Sequence, residues 1–155
     1  MVPPKPTMES EGNVLITGCS EGGIGFALAK EFQSRGFHVY ATARQPARIG
    51  ALKNLYNVTL LQLDVTSSTS IAAAIAIVTK ETGGRLDYLV NNASKGVVLP
   101  TLDTDIDQAK AIFEVNVWGA LAMTKAFAPL LIAAKGSVVN MGSIAGMMSP
   151  PYLGE

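Results

Sequence analysis

The chain has 155 residues, a length that suits one domain with a sizeable core. Its twelve basic and twelve acidic residues cancel, which excludes the broad basic surface of a nucleic-acid-binding protein. A single cysteine excludes an internal disulfide framework, and the single histidine has no neighbours at metal-ligand spacing, so we expect no metal site.

The first twelve residues differ in composition from the rest of the chain. Residues 1–12 contain three prolines and no apolar core segment, so they do not form a secretory signal and we expect a flexible tail. No apolar stretch of bilayer length runs free of polar residues or glycine, so we expect no transmembrane segment. The sequence thus predicts a tail at 1–12 and one nucleotide-binding domain over 13–155.

A glycine-rich turn follows the first apolar run, which begins at Val14. Glycines have no Cβ and allow backbone N–H groups to approach a phosphate, and the following helix offers its positive N-terminal end. The turn predicts a cradle for the pyrophosphate of a dinucleotide. Taken alone, it is also compatible with a tight turn that binds nothing. Its candidate binding residues are Gly18, Ser20, Gly23, Ile24 and Gly25.

Apolar spacing predicts alternating strands and helices along the rest of the chain. Further strands are expected at 37–42, 58–63, 86–90 and 136–141, and helices at 24–35, 47–55, 71–81 and 106–134. Ser67 or Ser68 is expected to cap the third helix, and Pro129 to kink the last one. Strands joined through helices predict a five-stranded parallel sheet covered on both faces, a Rossmann-like doubly wound α/β fold.

In such a fold the ligand lies beyond the carboxyl ends of the strands. After the second strand come Thr42, Arg44 and, one helical turn on, Arg48, and residues 37–48 contain no Asp or Glu. An acidic residue here would bind the ribose of NAD, whereas a guanidinium makes charge-assisted bonds to the extra phosphate of NADP(H). The pattern favours NADP(H), with solvated surface arginines as the alternative interpretation.

The next two strand ends also carry polar residues. Asp64 and Val65 are candidates to meet the adenine ring, with a helix N-cap as the alternative for Asp64. Asn92 and Ala93 are candidates to brace the glycine turn and line the ribose, although an Asn pair is also common in plain turns.

Three residues of the second half of the chain complete the set of candidates. Asn116 lies in an apolar helical segment, where a buried amide needs a partner such as the backbone or a water at an active site. Lys125 is a candidate for the cofactor side or a solvated cation. Ser143, just past the last strand, is placed to donate a hydrogen bond to a substrate carbonyl.

Taken together, these motifs resemble the short-chain dehydrogenase/reductase superfamily. The resemblance is carried by the motifs at 17–25, 64–65, 91–94, 116–119 and 141–146, in the family's order and on the expected elements. The turn and the Thr42-Ala-Arg44 segment look most like the NADPH-dependent acyl-dihydroxyacetone-phosphate reductase branch and its hydroxysteroid-dehydrogenase-like relatives.

The resemblance implies an NADP(H)-dependent oxidoreductase for a small carbonyl or alcohol, with lipid-like or acyl-ketone compounds among the candidate substrates. It implies that Ser143 orients the substrate carbonyl and that Asn116 holds a water. A Tyr-x-x-x-Lys pair would complete the site, and that tyrosine is expected just beyond Glu155. Tyr152 has no residue four positions later, so it does not start the pair.

The family's last strands and helices are therefore expected to be missing from this chain. The alternative function is a catalytically incomplete dinucleotide-binding fragment or a binding module that is not an enzyme. The resemblance also implies homo-oligomers, an assembly that a chain without the later elements need not form. A cytoplasmic location is the default expectation, and an endoplasmic-reticulum or lipid-droplet surface follows from the resemblance alone.

Overall fold

Five short strands form one parallel sheet in this computed structural model, which describes residues 10–147. The strands lie in the order β3-β2-β1-β4-β5. Residues 1–9 and Tyr152, which concern the expected tail and the tyrosine motif, lie outside the described residues. The strands are β1 (Asn13–Ile16), β2 (His38–Ala43), β3 (Val58–Gln62), β4 (Tyr88–Asn91) and β5 (Ser137–Asn140).

The central strand of this sheet is β1, which pairs with β2 on one side and β4 on the other. Leu15 is in register with Tyr40 of β2 and with Leu89 of β4. The chain thus steps outward from β1 to β3 and then crosses back to place β4 beside β1. Strand order reverses between β1 and β4, which is where a doubly wound sheet opens a crevice for a ligand.

Helices cover both faces of the sheet, because successive side chains of a strand point to opposite faces. Val14 and Ile16 belong to a core cluster on one face, together with Ala29 of α1. Leu15 belongs to the cluster on the other face, with side chains from α2 and α4. The predicted doubly wound architecture is confirmed. The α-helices are α1 (Ile24–Ser34), α2 (Ser68–Thr82), α3 (Ile106–Phe113) and α4 (Ala120–Ala134).

Element boundaries differ from the prediction in places. Residues 47–55 form no α-helix, and the segment Pro46–Leu52 is a 3₁₀ helix instead. Of the two candidate caps for α2, Ser67 takes the role, because its side chain accepts a hydrogen bond from the backbone N–H of Ser70. Ser10–Gly12, expected in the tail, are held near the sheet, since the N–H of Glu11 donates to the carbonyl of Gly36.

The long helix predicted at 106–134 is continuous but not uniform. A π-helical segment, Glu114–Gly119, separates α3 from α4, and Pro129 lies inside α4, which continues to Ala134. The run Ile106–Ala134 has the length and composition of a membrane span, although no such stretch was expected from the sequence. The same helix buries Met123 and Phe127 in the core against the sheet.

Strand β5 lies at the edge of the sheet and is exposed at every residue. Val138 and Val139 keep 38% and 39% of their surface exposed, although apolar strand residues normally pack under a helix. Among residues 10–147 only β4 pairs with this strand, so its outer edge is open.

Candidate functional site

A cavity of about 450 Å³ lies beyond the carboxyl ends of β1 to β4. It is where ten of the twelve predicted cofactor-binding residues meet, although they come from four separate parts of the chain. Of the other two, Gly25 is buried behind the turn and Lys125 is exposed on α4 away from the cavity. The ten are Gly18, Ser20, Gly23, Ile24, Thr42, Arg44, Asp64, Val65, Asn92 and Ala93.

The glycine turn forms one wall of this cavity and packs closely on the end of β4. Gly18 has a φ of +73°, and a Cβ there would come 2.9 Å from the Cα of Ala93. A Cβ at Gly25 would come 2.6 Å from the carbonyl oxygen of Gly18. These two glycines therefore serve the packing of the turn against its neighbours. Gly22 has open space at its Cβ position, so this part of the turn leaves room in front of the backbone.

Thr17, which no sequence argument selected as a site residue, holds this wall together. Its Oγ1 accepts hydrogen bonds from the backbone N–H groups of Asn92, at 2.9 Å, and Ala93, at 2.8 Å. The side-chain amide of Asn92 donates in return to the carbonyl oxygens of Thr17 and Gly18, at 2.8 and 2.9 Å. Asn92 thus braces the turn, as predicted. A hydroxyl directly before the first glycine of the motif was the available signal for Thr17.

The opposite wall follows β2 and β3. The Thr42 hydroxyl donates to the carbonyl of Ile16, 3.1 Å away, so this side chain ties β2 to β1 below the cavity. Asp64 Oδ1 accepts from the N–H and the hydroxyl of Thr66, at 2.9 and 2.7 Å. These bonds, more than the nearby Arg44 guanidinium, lower the pKa of Asp64. Asp64 does not cap α2, because Ser67 does.

The charges that line the cavity favour an anion. The cavity is lined by three cationic side chains, Arg44, Arg48 and Lys95, and by the single carboxylate of Asp64. Asp64 already accepts two hydrogen bonds from Thr66, so its charge is partly compensated locally. Positive side chains beside a glycine-rich turn that opens a helix suit phosphates.

Asn116 is exposed in the structure, which corrects the expectation of a buried amide. Its side chain still has partners: Oδ1 accepts from the N–H of Lys95 at 2.9 Å, and Nδ2 donates to the carbonyl of Lys95 at 2.8 Å. The correction has a simple cause, because this part of the helix faces the loop after β4 and not the sheet. Asn116 therefore clamps that loop from across the chain.

A second cavity of about 270 Å³ lies on the other side of this clamp. It is formed between the loop after β4 and the helix that begins at Ile106, and most of its lining is apolar. Asn116 and Thr104 supply the polar groups. The remaining lining residues are Val97, Leu99, Ala109, Ile112, Phe113 and Val117.

Ser143 lies past β5 and lines neither of these two cavities. Its hydroxyl accepts a hydrogen bond of 3.1 Å from the N–H of Ala145 and so caps a short 3₁₀ turn, Ile144–Gly146. The described residues thus gather ten of the twelve predicted cofactor residues but do not bring Gly25, Lys125, Asn116 and Ser143 to the same cavity. Residues 10–147 also contain no cluster of His, Cys, Asp and Glu that could hold a metal ion.

Comparison with protein families decides the ancestry of this site. The family model described as "short chain dehydrogenase" matches residues 12–154. The chain belongs to the short-chain dehydrogenase family. Members of this family bind a nicotinamide dinucleotide, and the phosphate-compatible cavity fits such a group.

Relatives of this short-chain dehydrogenase are found among fungi and bacteria. The chain is 54% identical over 141 residues to the short-chain dehydrogenase PC-15 of Penicillium crustosum, covering 91% of this chain and 52% of the relative. It is 47% identical over 137 residues to an NADPH-dependent 1-acyldihydroxyacetone phosphate reductase of Schizosaccharomyces pombe, covering 88% and 46%. The chain spans about half the length of these curated relatives.

A solved structure shows the same fold. A short-chain dehydrogenase from Streptomyces avermitilis superimposes with a TM-score of 0.84 at 33% identity, over 93% of this chain and 53% of the bacterial chain. The likeness includes nearly all of the present chain, so the five-stranded sheet and its crossovers are those of the family.

Proposed function

We propose that this chain is the dinucleotide-binding part of an NADP(H)-dependent oxidoreductase that interconverts a carbonyl and an alcohol. The observation that carries the proposal is the cavity wall after β2, where Arg44 and Arg48 stand and residues 37–48 contain no carboxylate. An arginine at this strand end suits the 2′-phosphate of NADP, whereas NAD is selected by an acidic residue. The NADPH dependence named for the fission-yeast relative supports the same choice.

Different residues of the cavity would bind different parts of the cofactor. Backbone N–H groups of the turn at Ser20 and Ile24 would hold the pyrophosphate, since the Gly23 N–H already donates to the Ser20 carbonyl. Arg44 would hold the 2′-phosphate. Asp64 and Val65 would border the adenine, and Asn92 would keep the turn in shape. When bound, NADPH supplies the hydride for the carbonyl carbon. Lys125 is exposed on α4 and has no part in this assignment.

Ser143 and Asn116 are proposed to serve the substrate side. The contact of the Ser143 hydroxyl with Ala145 uses an acceptor lone pair, which leaves the O–H to donate to a carbonyl oxygen. Each end of the Asn116 amide can make one bond beyond those to Lys95, so a water can bind there without opening the clamp. Asn116 would then act chiefly as a positioning residue for the loop after β4.

The apolar cavity supports a lipid-like substrate. It adjoins the cofactor cavity through the Lys95–Asn116 clamp, since Lys95 lines one and Asn116 lines the other. Ligand sites typically combine an apolar lining with a few polar groups, as found here. An alkyl or aryl part of a ketone would fit this cavity while its polar end faces the cofactor.

Titration calorimetry with NADPH and NADH tests the proposed cofactor. We expect the chain to bind NADPH more tightly than NADH. Arg44→Ala should lower this preference about tenfold or more, because charge-assisted hydrogen bonds are worth about 1.5–3 kcal/mol. Arg35→Ala, which removes an exposed arginine at the opposite end of α1, should leave the preference unchanged. Equal binding of the two cofactors to the unmodified chain would overturn the proposal.

A turnover assay separates an enzyme from a binding module. NADPH consumption with a long-chain ketone that stops in the Ser143→Ala variant would support catalysis by this chain. Tight NADPH binding without any consumption would instead favour the non-enzymatic binding module.

A further inference from the structure

Glu21 joins the glycine turn to the segment that carries Arg48. Its backbone N–H donates to the carbonyl of Arg48, with a distance of 2.9 Å between nitrogen and oxygen. Its side-chain Oε1 accepts from the backbone N–H of Ala51 at 3.0 Å. One residue of the turn thus makes two bonds to two residues of the 3₁₀ segment Pro46–Leu52, across about 30 positions of sequence.

The 3₁₀ segment is anchored on one side and turned to the cavity on the other. Ile49 and Leu52 are fully buried in the core cluster beside α1, whereas Arg48 lines the cofactor cavity. The buried pair fixes the segment to the sheet. The bonds to Glu21 fix the edge from which Arg48 extends, and they set its separation from the turn.

We infer that Glu21 is the positioning residue that holds Arg48 at the cofactor cavity, where this second guanidinium can meet the 2′-phosphate monoester of a nucleoside. The inference rests on the proposed function, since it assigns a second cation to the 2′-phosphate that Arg44 is proposed to bind. Two guanidiniums on one monoester provide more donors than one, and their benefit depends on a fixed spacing. Glu21 provides that spacing through its bonds to the segment.

The charge of Glu21 separates a positioning role from an electrostatic one, because the two roles predict opposite changes in phosphate affinity. A carboxylate near the cavity would repel a phosphate, so a purely electrostatic role predicts tighter phosphate binding when Glu21 is removed. The positioning role predicts the reverse for Glu21→Ala, which loses the acceptor for the N–H of Ala51. Glu21→Gln keeps an acceptor oxygen and loses the charge, so it should bind the phosphate as well as or better than the unmodified chain.

Calorimetric titration with adenosine 2′,5′-bisphosphate and with AMP isolates the 2′-phosphate, because the two probes differ only in that group. We expect Arg48→Ala to lower the preference for the bisphosphate about tenfold and Glu21→Ala to lower it severalfold. AMP affinity should stay the same in both variants, which also shows that they fold. In the double variant the loss should equal that of Arg48→Ala alone, because Glu21 acts through Arg48.

The outcomes distinguish the two levels of the proposal. If the unmodified chain shows no preference for the bisphosphate, the NADP(H) assignment itself fails. If Arg44→Ala removes the preference while Arg48→Ala or Glu21→Ala leaves it unchanged, the cofactor assignment stands and the present inference is overturned. Fully additive losses in the double variant, or no recovery in Glu21→Gln, would also overturn the positioning role.

Discussion

Asn92 donates two hydrogen bonds to Thr17: its backbone N–H reaches Thr17 Oγ1 at 2.9 Å, and its side-chain Nδ2 reaches the Thr17 carbonyl oxygen at 2.8 Å. These bonds link the ends of β1 and β4 at the point where strand order reverses. The glycine turn leaves the sheet from Thr17, so its course depends on a residue that lies 75 positions later in the sequence.

Replacing Thr17 with Val is expected to destabilise the chain. The variant keeps the side-chain shape but leaves the N–H of Ala93 without its acceptor and the N–H of Asn92 with the Val90 carbonyl alone, and an unsatisfied buried donor costs about 1–3 kcal/mol. The free energy of unfolding, measured with urea, should fall by about this amount. Thr17→Ser retains the hydroxyl and should recover most of the loss. Equal stability of the Val variant and the unmodified chain would contradict this account.

Replacing Asn116 with Ala should loosen the loop after β4. The change removes both bonds to the Lys95 backbone, each worth about 0.5–1.5 kcal/mol net. Amide hydrogen exchange at Lys95, followed by NMR, should become up to about tenfold faster. Asn54→Ala, an exposed site before β3, provides the matched control. Unchanged exchange at Lys95 would show that the clamp does not hold in solution.

Cys19 should be unreactive in the folded chain despite its position in the glycine turn. Its side chain is fully buried, and burial raises the pKa of the thiol to about 12, so almost no thiolate forms at neutral pH. A colorimetric thiol reagent should modify one group per chain in urea and almost none without it. Labelling of the native chain at the denatured rate would mean that the turn opens readily.

The hydrogen bonds from Thr66 should make stability depend on acid pH. They lower the folded-state pKa of Asp64, so its contribution is present above the unfolded pKa of about 3.9 and is lost as the pH falls through the lower folded pKa. Thr66→Ala removes the hydroxyl bond but keeps the backbone N–H bond, so it should raise the pKa of Asp64 part of the way towards its ordinary value, which carboxyl NMR titration measures. Thr79→Ala, exposed on α2, should leave it unchanged. An unaltered Asp64 titration in Thr66→Ala would rule out the contribution of the Thr66 hydroxyl.

Much of the fold followed from local patterns. The apolar runs and the breaks between them located every strand, because a strand buried on both faces needs continuous apolar residues and crossovers need helices. The π-helical segment Glu114–Gly119 left no such signal. Gly119 packs there against Val65, with a hypothetical Cβ only 2.7 Å from a Val65 methyl, and that contact comes from a distant part of the chain.

The candidate site was likewise predictable from the sequence only in part. Residues at predicted strand ends, such as Gly18, Arg44 and Asn92, do line one cavity, because parallel strands end on one edge of the sheet. Asn116 was expected to be buried from its apolar neighbours, but the helix turns it outward to Lys95. A residue's neighbours in sequence do not reveal which side of a helix meets the sheet.

The sequence alone determined the family, the alternation of strands and helices, and the residue types that stand at the strand ends. Only the tertiary structure decided which backbone groups those side chains bind: Thr17 holds Asn92, Asn116 holds Lys95, and Glu21 holds the segment of Arg48. The physical reason is the sequence separation over which each kind of interaction acts. Periodicity and turn chemistry act over a few residues, whereas these hydrogen bonds join segments that become neighbours only when the crossovers have placed the strands side by side.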